Sequence, residues 1–355
     1  MPAAGSKGGL PQGRAAARGN GNTDASDASE EAVERGLRWL AAHQNRDDGS
    51  WNFNLHKGPC RGSCRNSGTV PSTTGATALA LAPFLGAGYT HLEGQHQETV
   101  RRGLYYLRSR ALVMSEGADL QEGTMYAQGL SAIVLSEAYA MTKDESFAGV
   151  AQKALDFIDY AQDKRGGGWR YTPGEPGDTT VTGWQLMAIK SGQLAGLTVS
   201  SPSVHLVDRF LSSVQSEEGA KYGYTDKTPR EGTTAVGLLC RMYLGWPRSH
   251  PPLEAGVGYL SEWGPLQDNI YYNYYATQVM CHWGGPLWEE WNVKMRDGLV
   301  ATQATNGHEA GSWFFQGKHT DPGGRLCSTA LAVMTLEVYY RYMPLYRQQA
   351  FDGER

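Results

Sequence analysis

Long apolar runs are missing from this chain. No stretch reaches the roughly 18 consecutive apolar residues needed to cross a bilayer. The first residues hold no apolar core of the kind a secretory leader requires. Cysteine is scarce, with five in 355 residues, which excludes a disulfide scaffold. An excess of positive charge is also lacking. Lys and Arg number 32 against 36 Asp and Glu, a net charge of −4, so nucleic acid is not an expected partner. Glycine, in contrast, is plentiful at 45 residues and follows no collagen period. Apolar residues make up 40% of the chain, enough for a substantial core.

Residues 1–29 are mostly Gly, Ala, Ser, Asn and Asp, with little to bury. They read as a disordered tail or linker, or as the cut edge of a longer protein. Residues 347–355 read as a C-terminal tail. Between them, over 30–346, one unit recurs. Its clearest copy has an amphipathic stretch, Lys153 to Gln162, with apolar residues at Ala154, Leu155, Phe157, Ile158 and Ala161. A Gly-rich aromatic loop follows, Gly166 to Gly177. Asp178, Thr179 and Thr180 then offer helix caps before a run, Val181 to Ile189, that is apolar on nearly every side.

Six such units predict six helix pairs. Buried helices are expected over 75–85, 125–140, 180–191, 233–244, 273–283 and 328–340. Ser72-Thr73-Thr74, Thr233-Thr234 and Ser328-Thr329 are the expected caps of three of them. The sixth buried run is as apolar as the middle ones, whereas an open array needs polar end units. The predicted fold is therefore all-α, a closed ring with buried helices inside and amphipathic helices outside. The loops before the inner helices share one rim, towards which the positive ends of the inner-helix dipoles point.

A family resemblance follows from particular residues. Arg35-Gly36, Trp39-Leu40, Gln44 and Gly49-x-Trp51 resemble the QW repeat of squalene–hopene and related triterpene cyclases. Lys153-Ala154, Phe157-Ile158, Gln162 and Gly167-x-Trp169 match it again, and Gln303 with Gly311-x-Trp313 is a looser third match. Over about residues 30–346 the chain resembles the α/α-toroid superfamily of terpene cyclases and protein prenyltransferase β subunits. That resemblance implies a closed (α/α)6 toroid holding an isoprenoid or other apolar ligand in its central cavity. The family's cyclases protonate an alkene with the middle Asp of Asp-x-Asp-Asp followed by Thr. Here Glu175-Pro176-Gly177-Asp178-Thr179 matches only the last Asp, and the donor position falls on Gly177. Neither the paired aspartates nor the Asp-x-Cys zinc site of prenyl-transfer enzymes is matched.

Asp178 is the candidate catalytic residue. Its expected main role is nonetheless a helix N-cap, with a pKa lowered by the helix dipole and no protonation-driven squalene cyclisation. Arg170, Tyr171, Trp184, Tyr271, Tyr274 and Glu309 are the candidate ligand-binding residues, combining π-faces with charge on the rim. No cofactor is expected. His56, Cys60 and Cys64 have a spacing tolerable for zinc, but no fourth donor is evident, so no metal site is expected. Two further functional classes fit the same features: a carbohydrate-active toroid using rim carboxylates, and a non-catalytic scaffold.

Overall fold

The computed structural model describes residues 24–317 and 321–341. Both tail readings fall largely outside these residues. The first helix, α1 (Asp27–Ala42), starts behind a capping box in which the Ser26 and Ser29 side chains each accept the other residue's N–H.

The described residues form an alternation of outer and inner helices. The outer set is α1, α3 (Gln97–Arg110), α5 (Glu145–Ala161), α7 (Ser201–Val214), α9 (Pro251–Trp263) and α11 (Gly285–Thr302). The inner set is α2 (Thr73–Gly86), α4 (Met125–Thr142), α6 (Thr179–Ala195), α8 (Glu231–Tyr243), α10 (Ile270–Trp283) and α12 (Gly324–Leu336). Two short antiparallel ribbons, Leu112–Met114 with Gly117–Asp119 and Gln215–Ser216 with Lys221–Tyr222, decorate the loops. Each inner helix packs on the next, and α12 packs back on α2, so the ring closes. The inner helices are buried almost all round, whereas the outer ones bury only a stripe. No helix among the described residues is long and apolar enough to cross a membrane.

The recurring Gln and Trp have a physical role in joining repeats. Gln44 Nε2 donates to the Gly49 carbonyl of its own loop (2.8 Å) and to the Thr99 carbonyl in the next outer helix (2.9 Å). Gln162 does the same with Gly167 (2.8 Å) and Ser203 (2.9 Å). Gln303 bonds Gly311 and, across the closure of the ring, Ala32 (both 2.8 Å). The indoles of Trp51, Trp169 and Trp313 donate to the carbonyls of Leu40, Ile158 and Leu299 at 2.7–2.8 Å. Gln162→Ala strands two buried carbonyls, and a loss of about 1–3 kcal/mol is expected. A urea midpoint equal to that of the wild type would contradict this bracing role.

Two expected caps do not form. α8 begins at Glu231 and α12 at Gly324, so Thr234 and Thr329 lie inside their helices. Their hydroxyls instead accept the loop N–H groups of Tyr222 (3.2 Å) and Trp313 (3.1 Å). Thr77 and Thr182 do likewise for Trp51 and Trp169 (both 3.0 Å). A threonine hydroxyl early in a helix thus ties down the preceding loop. Local propensity cannot tell this use from capping. Ser72 and Asp178 do cap, accepting from Gly75 N (3.0 Å) and Val181 N (2.8 Å).

Candidate functional site

Asp178 stands where the aromatic loop enters α6. Its N–H donates to the Trp169 carbonyl at 2.8 Å. Gly177 permits this close fold-back, since a Cβ there would lie 2.6 Å from the Gly168 Cα. Asp178 Oδ1 accepts from the Val181 N–H and the Thr180 hydroxyl, both at 2.8 Å. Oδ2 makes no hydrogen bond of good geometry, although the Tyr224 side chain is within interaction range. The residue is fully buried (0% exposed).

Burial decides its ionisation. Desolvation raises the Asp178 carboxyl above the ordinary 3.8, outweighing the hydrogen bonds from Val181, Thr180 and Tyr224 that pull the other way. This corrects the expectation of a lowered pKa. The cap and a raised pKa coexist because one oxygen serves the helix while the other makes no hydrogen bond of good geometry. Glu175 does splay away, half-buried and bonded to Thr172, and it is not among the causes of the shift.

A raised folded-state pKa means that the folded chain binds more protons than the unfolded one above pH 3.8. Stability should then fall as pH rises from 3.8 through the raised value. Asp178→Asn keeps a good cap and should abolish that decline. Denaturation midpoints across this window provide the check, and identical slopes for the two proteins would contradict the assignment.

Phenols and an indole surround the carboxyl. The Tyr126 hydroxyl pairs with Thr180 Oγ1 (2.7 Å), and the Tyr171 hydroxyl pairs with that of Tyr224 (2.7 Å). The Arg170 guanidinium lies 5.5 Å from the Tyr171 ring centroid, and its buried Nε has no hydrogen-bond partner among the described residues. From α10, Tyr271 approaches Tyr275 at 5.1 Å between centroids. Trp184 stacks on Tyr274 and meets Tyr275 edge-on, both at 5.7 Å. Burial pushes the Tyr126, Tyr224 and Tyr271 hydroxyls up, with the nearby Asp178 charge adding to it. All three therefore stay neutral donors at physiological pH.

Six of the seven sequence-derived candidates thus share one neighbourhood: Asp178, Arg170, Tyr171, Trp184, Tyr271 and Tyr274. Tyr126, Tyr224 and Tyr275 stand in the same neighbourhood without having been among those candidates.

Glu309 lies elsewhere, at the seam between the first and sixth repeats. It accepts from the Arg65 Nε (3.0 Å) and Nη2 (2.9 Å) and pairs with Arg325 Nη2 (3.1 Å). The Arg65 hydrogen bonds, with the charge of Arg325 behind them, hold its carboxyl at about 2. The same seam corrects the reading of the cysteines. His56 is exposed and packs against Gly62, away from the thiols. Two other histidines join them instead. Donor atoms of His43, Cys60, Cys64 and His308 all lie within 4.8 Å of one another.

No family model matches the chain, and no curated protein does. Solved structures do. An inactive variant of the α-1,6-mannanase GH76A of Salegentibacter sp. HEL1_6, in complex with α-1,6-mannotriose, superposes with a TM-score of 0.62 at 10% identity. That match covers 88% of this chain and 99% of the mannanase. The cellobiose 2-epimerase from Bacillus thermoamylovorans gives 0.63 at 10% identity, over 87% of this chain and 98% of the epimerase. The type II terpene cyclase MstE from Scytonema gives 0.59 at 13% identity, over 88% and 98%. At these identities the likeness establishes the fold, and the chain is an α/α toroid.

Proposed function

We propose that the ring interior below Asp178 binds an isoprenoid or similarly apolar ligand, and that Asp178 Oδ2 is its proton donor. The carrying observation is the divided carboxyl. Oδ1 is held by the α6 N-terminus, while Oδ2 is buried, makes no hydrogen bond of good geometry and lies among aromatic side chains. Burial favours the protonated acid before transfer, and the Val181 and Thr180 donors stabilise the carboxylate left behind. Neighbouring π-faces of Trp184, Tyr271 and Tyr275 suit a developing carbocation. This site differs from the Asp-x-Asp-Asp arrangement of the cyclases that the sequence resembles. The domain limits of 30–346 belong to the same proposal.

A saccharide is the second reading, favoured by the exposed Tyr171 (41%) and its hydroxyl pair with Tyr224 at the mouth. Glycoside hydrolysis ordinarily needs a second carboxyl across the bond. The rim carboxylates Glu231 and Asp268 are exposed and Glu175 is half-buried, unlike the fully buried Asp178. Indole fluorescence distinguishes the two readings. Geranylgeranyl-bearing ligand should quench it, and Trp184→Ala should weaken binding about tenfold, or about 1.4 kcal/mol. Saturable binding of mannotriose or cellobiose without binding of the isoprenoid would replace the first reading with the second.

A further inference from the structure

The side chains at the seam point to a bound metal. We propose that His43, Cys60, Cys64 and His308 form a structural zinc site that clips the first repeat of the ring to the last. The donor set is Cys2His2, a combination that selects zinc among the common divalent cations. Cys64 Sγ lies 3.4 Å from His43 Nε2 and 3.1 Å from His308 Nδ1, and Cys60 Sγ lies 3.9 Å from His308 Nδ1. Zinc bonds of about 2.3 Å to sulfur and 2.1 Å to nitrogen give a tetrahedral N–S edge of about 3.6 Å. The observed separations bracket that edge.

The surroundings orient the donors. His43 Nδ1 is 2.7 Å from the Trp39 carbonyl, so it must carry the proton. Nε2 is then the lone-pair nitrogen, and it is the one facing Cys64. Trp39 stacks on the same ring with centroids 3.8 Å apart, fixing its plane. The cysteines sit in a Cys-x3-Cys turn, a metal-ligand spacing, shaped by Arg61 and Gly62 at positive φ. The Cys64 N–H donates to Cys60 Sγ at 3.4 Å, a bond that strengthens when the sulfur is a thiolate. A cavity of about 500 Å³, lined by Arg35, Arg38, Trp39, His43 and His308 among others, borders the site and offers the ion a way in.

Four protein donors leave no position for substrate, which marks the site as structural. Binding releases the two thiol protons to solvent, so Zn²⁺ with two thiolates and two neutral imidazoles is uncharged. The location defines the purpose. His43 ends α1, and His308 lies 308 − 43 = 265 residues later, in the loop before α12. A cross-link over so long a span removes much of the loop-closure entropy of the unfolded chain. It also guards the one joint of the ring made by segments far apart in sequence.

The full chain should purify with one zinc per molecule by inductively coupled plasma mass spectrometry. Cobalt substitution should give tetrahedral d–d bands and a thiolate-to-cobalt charge-transfer band. His308→Ala should lower zinc occupancy at least about tenfold, whereas His56→Ala should leave it unchanged. If His308→Ala does not fold, thiol titration of the wild type is decisive: two more of the five cysteines should react after a chelator is added than before it. Metal-free protein that shows no cobalt–thiolate band on cobalt addition and no rise in melting temperature with equimolar zinc would overturn the proposal. So would a Cys60–Cys64 disulfide that persists in reducing buffer.

Discussion

Arg341→Met is expected to destabilise the ring by about 3–5 kcal/mol. The guanidinium is 1% exposed and inserts between two buried carboxylates. Its Nη2 lies 3.1 Å from Glu137 Oε2, its Nη1 lies 3.6 Å from Glu337 Oε2, and Nη1 also donates to the Ala82 carbonyl. Three inner-ring segments, α2, α4 and the end of α12, therefore meet on one side chain. Gly86 leaves the room, since a Cβ there would lie 2.0 Å from Glu337 Oε2. Removing Arg341 takes away a cation that both carboxylates face. Adding Glu137→Gln and Glu337→Gln to Arg341→Met should recover much of the loss, because it removes negative charge that the guanidinium no longer offsets. Urea denaturation of the single and triple variants is the check. A single variant within about 0.5 kcal/mol of the wild type would show the cluster to be energetically idle.

Trp169→Ala should cost about 3–5 kcal/mol as well. The indole is fully buried, and its Nε1–H reaches the Ile158 carbonyl at 2.7 Å. Its backbone carries a further consequence. Trp169 N–H is held by Thr182, and its carbonyl receives the Asp178 N–H, so the loop and the start of α6 form one bonded unit. Loss of the side chain loosens the anchor of Asp178, and ligand affinity should fall together with stability. Thermal unfolding with and without ligand separates the two effects. An unchanged melting temperature would mean that Trp169 is not a buried brace.

What the sequence made legible was local. The 3.6-residue periodicity, the apolar inner runs and the Gln and Trp spacing depend on near neighbours, and they located all six inner helices. Asp178 as a cap was legible for the same reason, because its bond to Val181 spans three residues. Its ionisation was not, since dipole and cap bonds are local whereas desolvation comes from distant packing. Glu309 carried the right charge and loop position, but Arg65 and Arg325 claim it from other segments. The seam tetrad was hidden most deeply. His43 and His308 join Cys60 and Cys64 only once the ring has closed, and no short spacing announces that meeting.

The central claim is that Asp178 serves a bound isoprenoid as an acid while it caps α6. The direct measurement is product formation from squalene and from a geranylgeranyl-bearing arene, followed by gas chromatography–mass spectrometry, for the wild type and Asp178→Asn. Asparagine keeps the cap, so the variant should fold and bind. Reversing the expectation, drawn from the sequence, of no protonation-driven squalene cyclisation, the account predicts cyclised product with the wild type, at least about a hundredfold less with Asp178→Asn, and comparable ligand binding by both. Equal turnover by the two proteins, or tight isoprenoid binding by both without any product, would contradict it and leave Asp178 a structural cap alone.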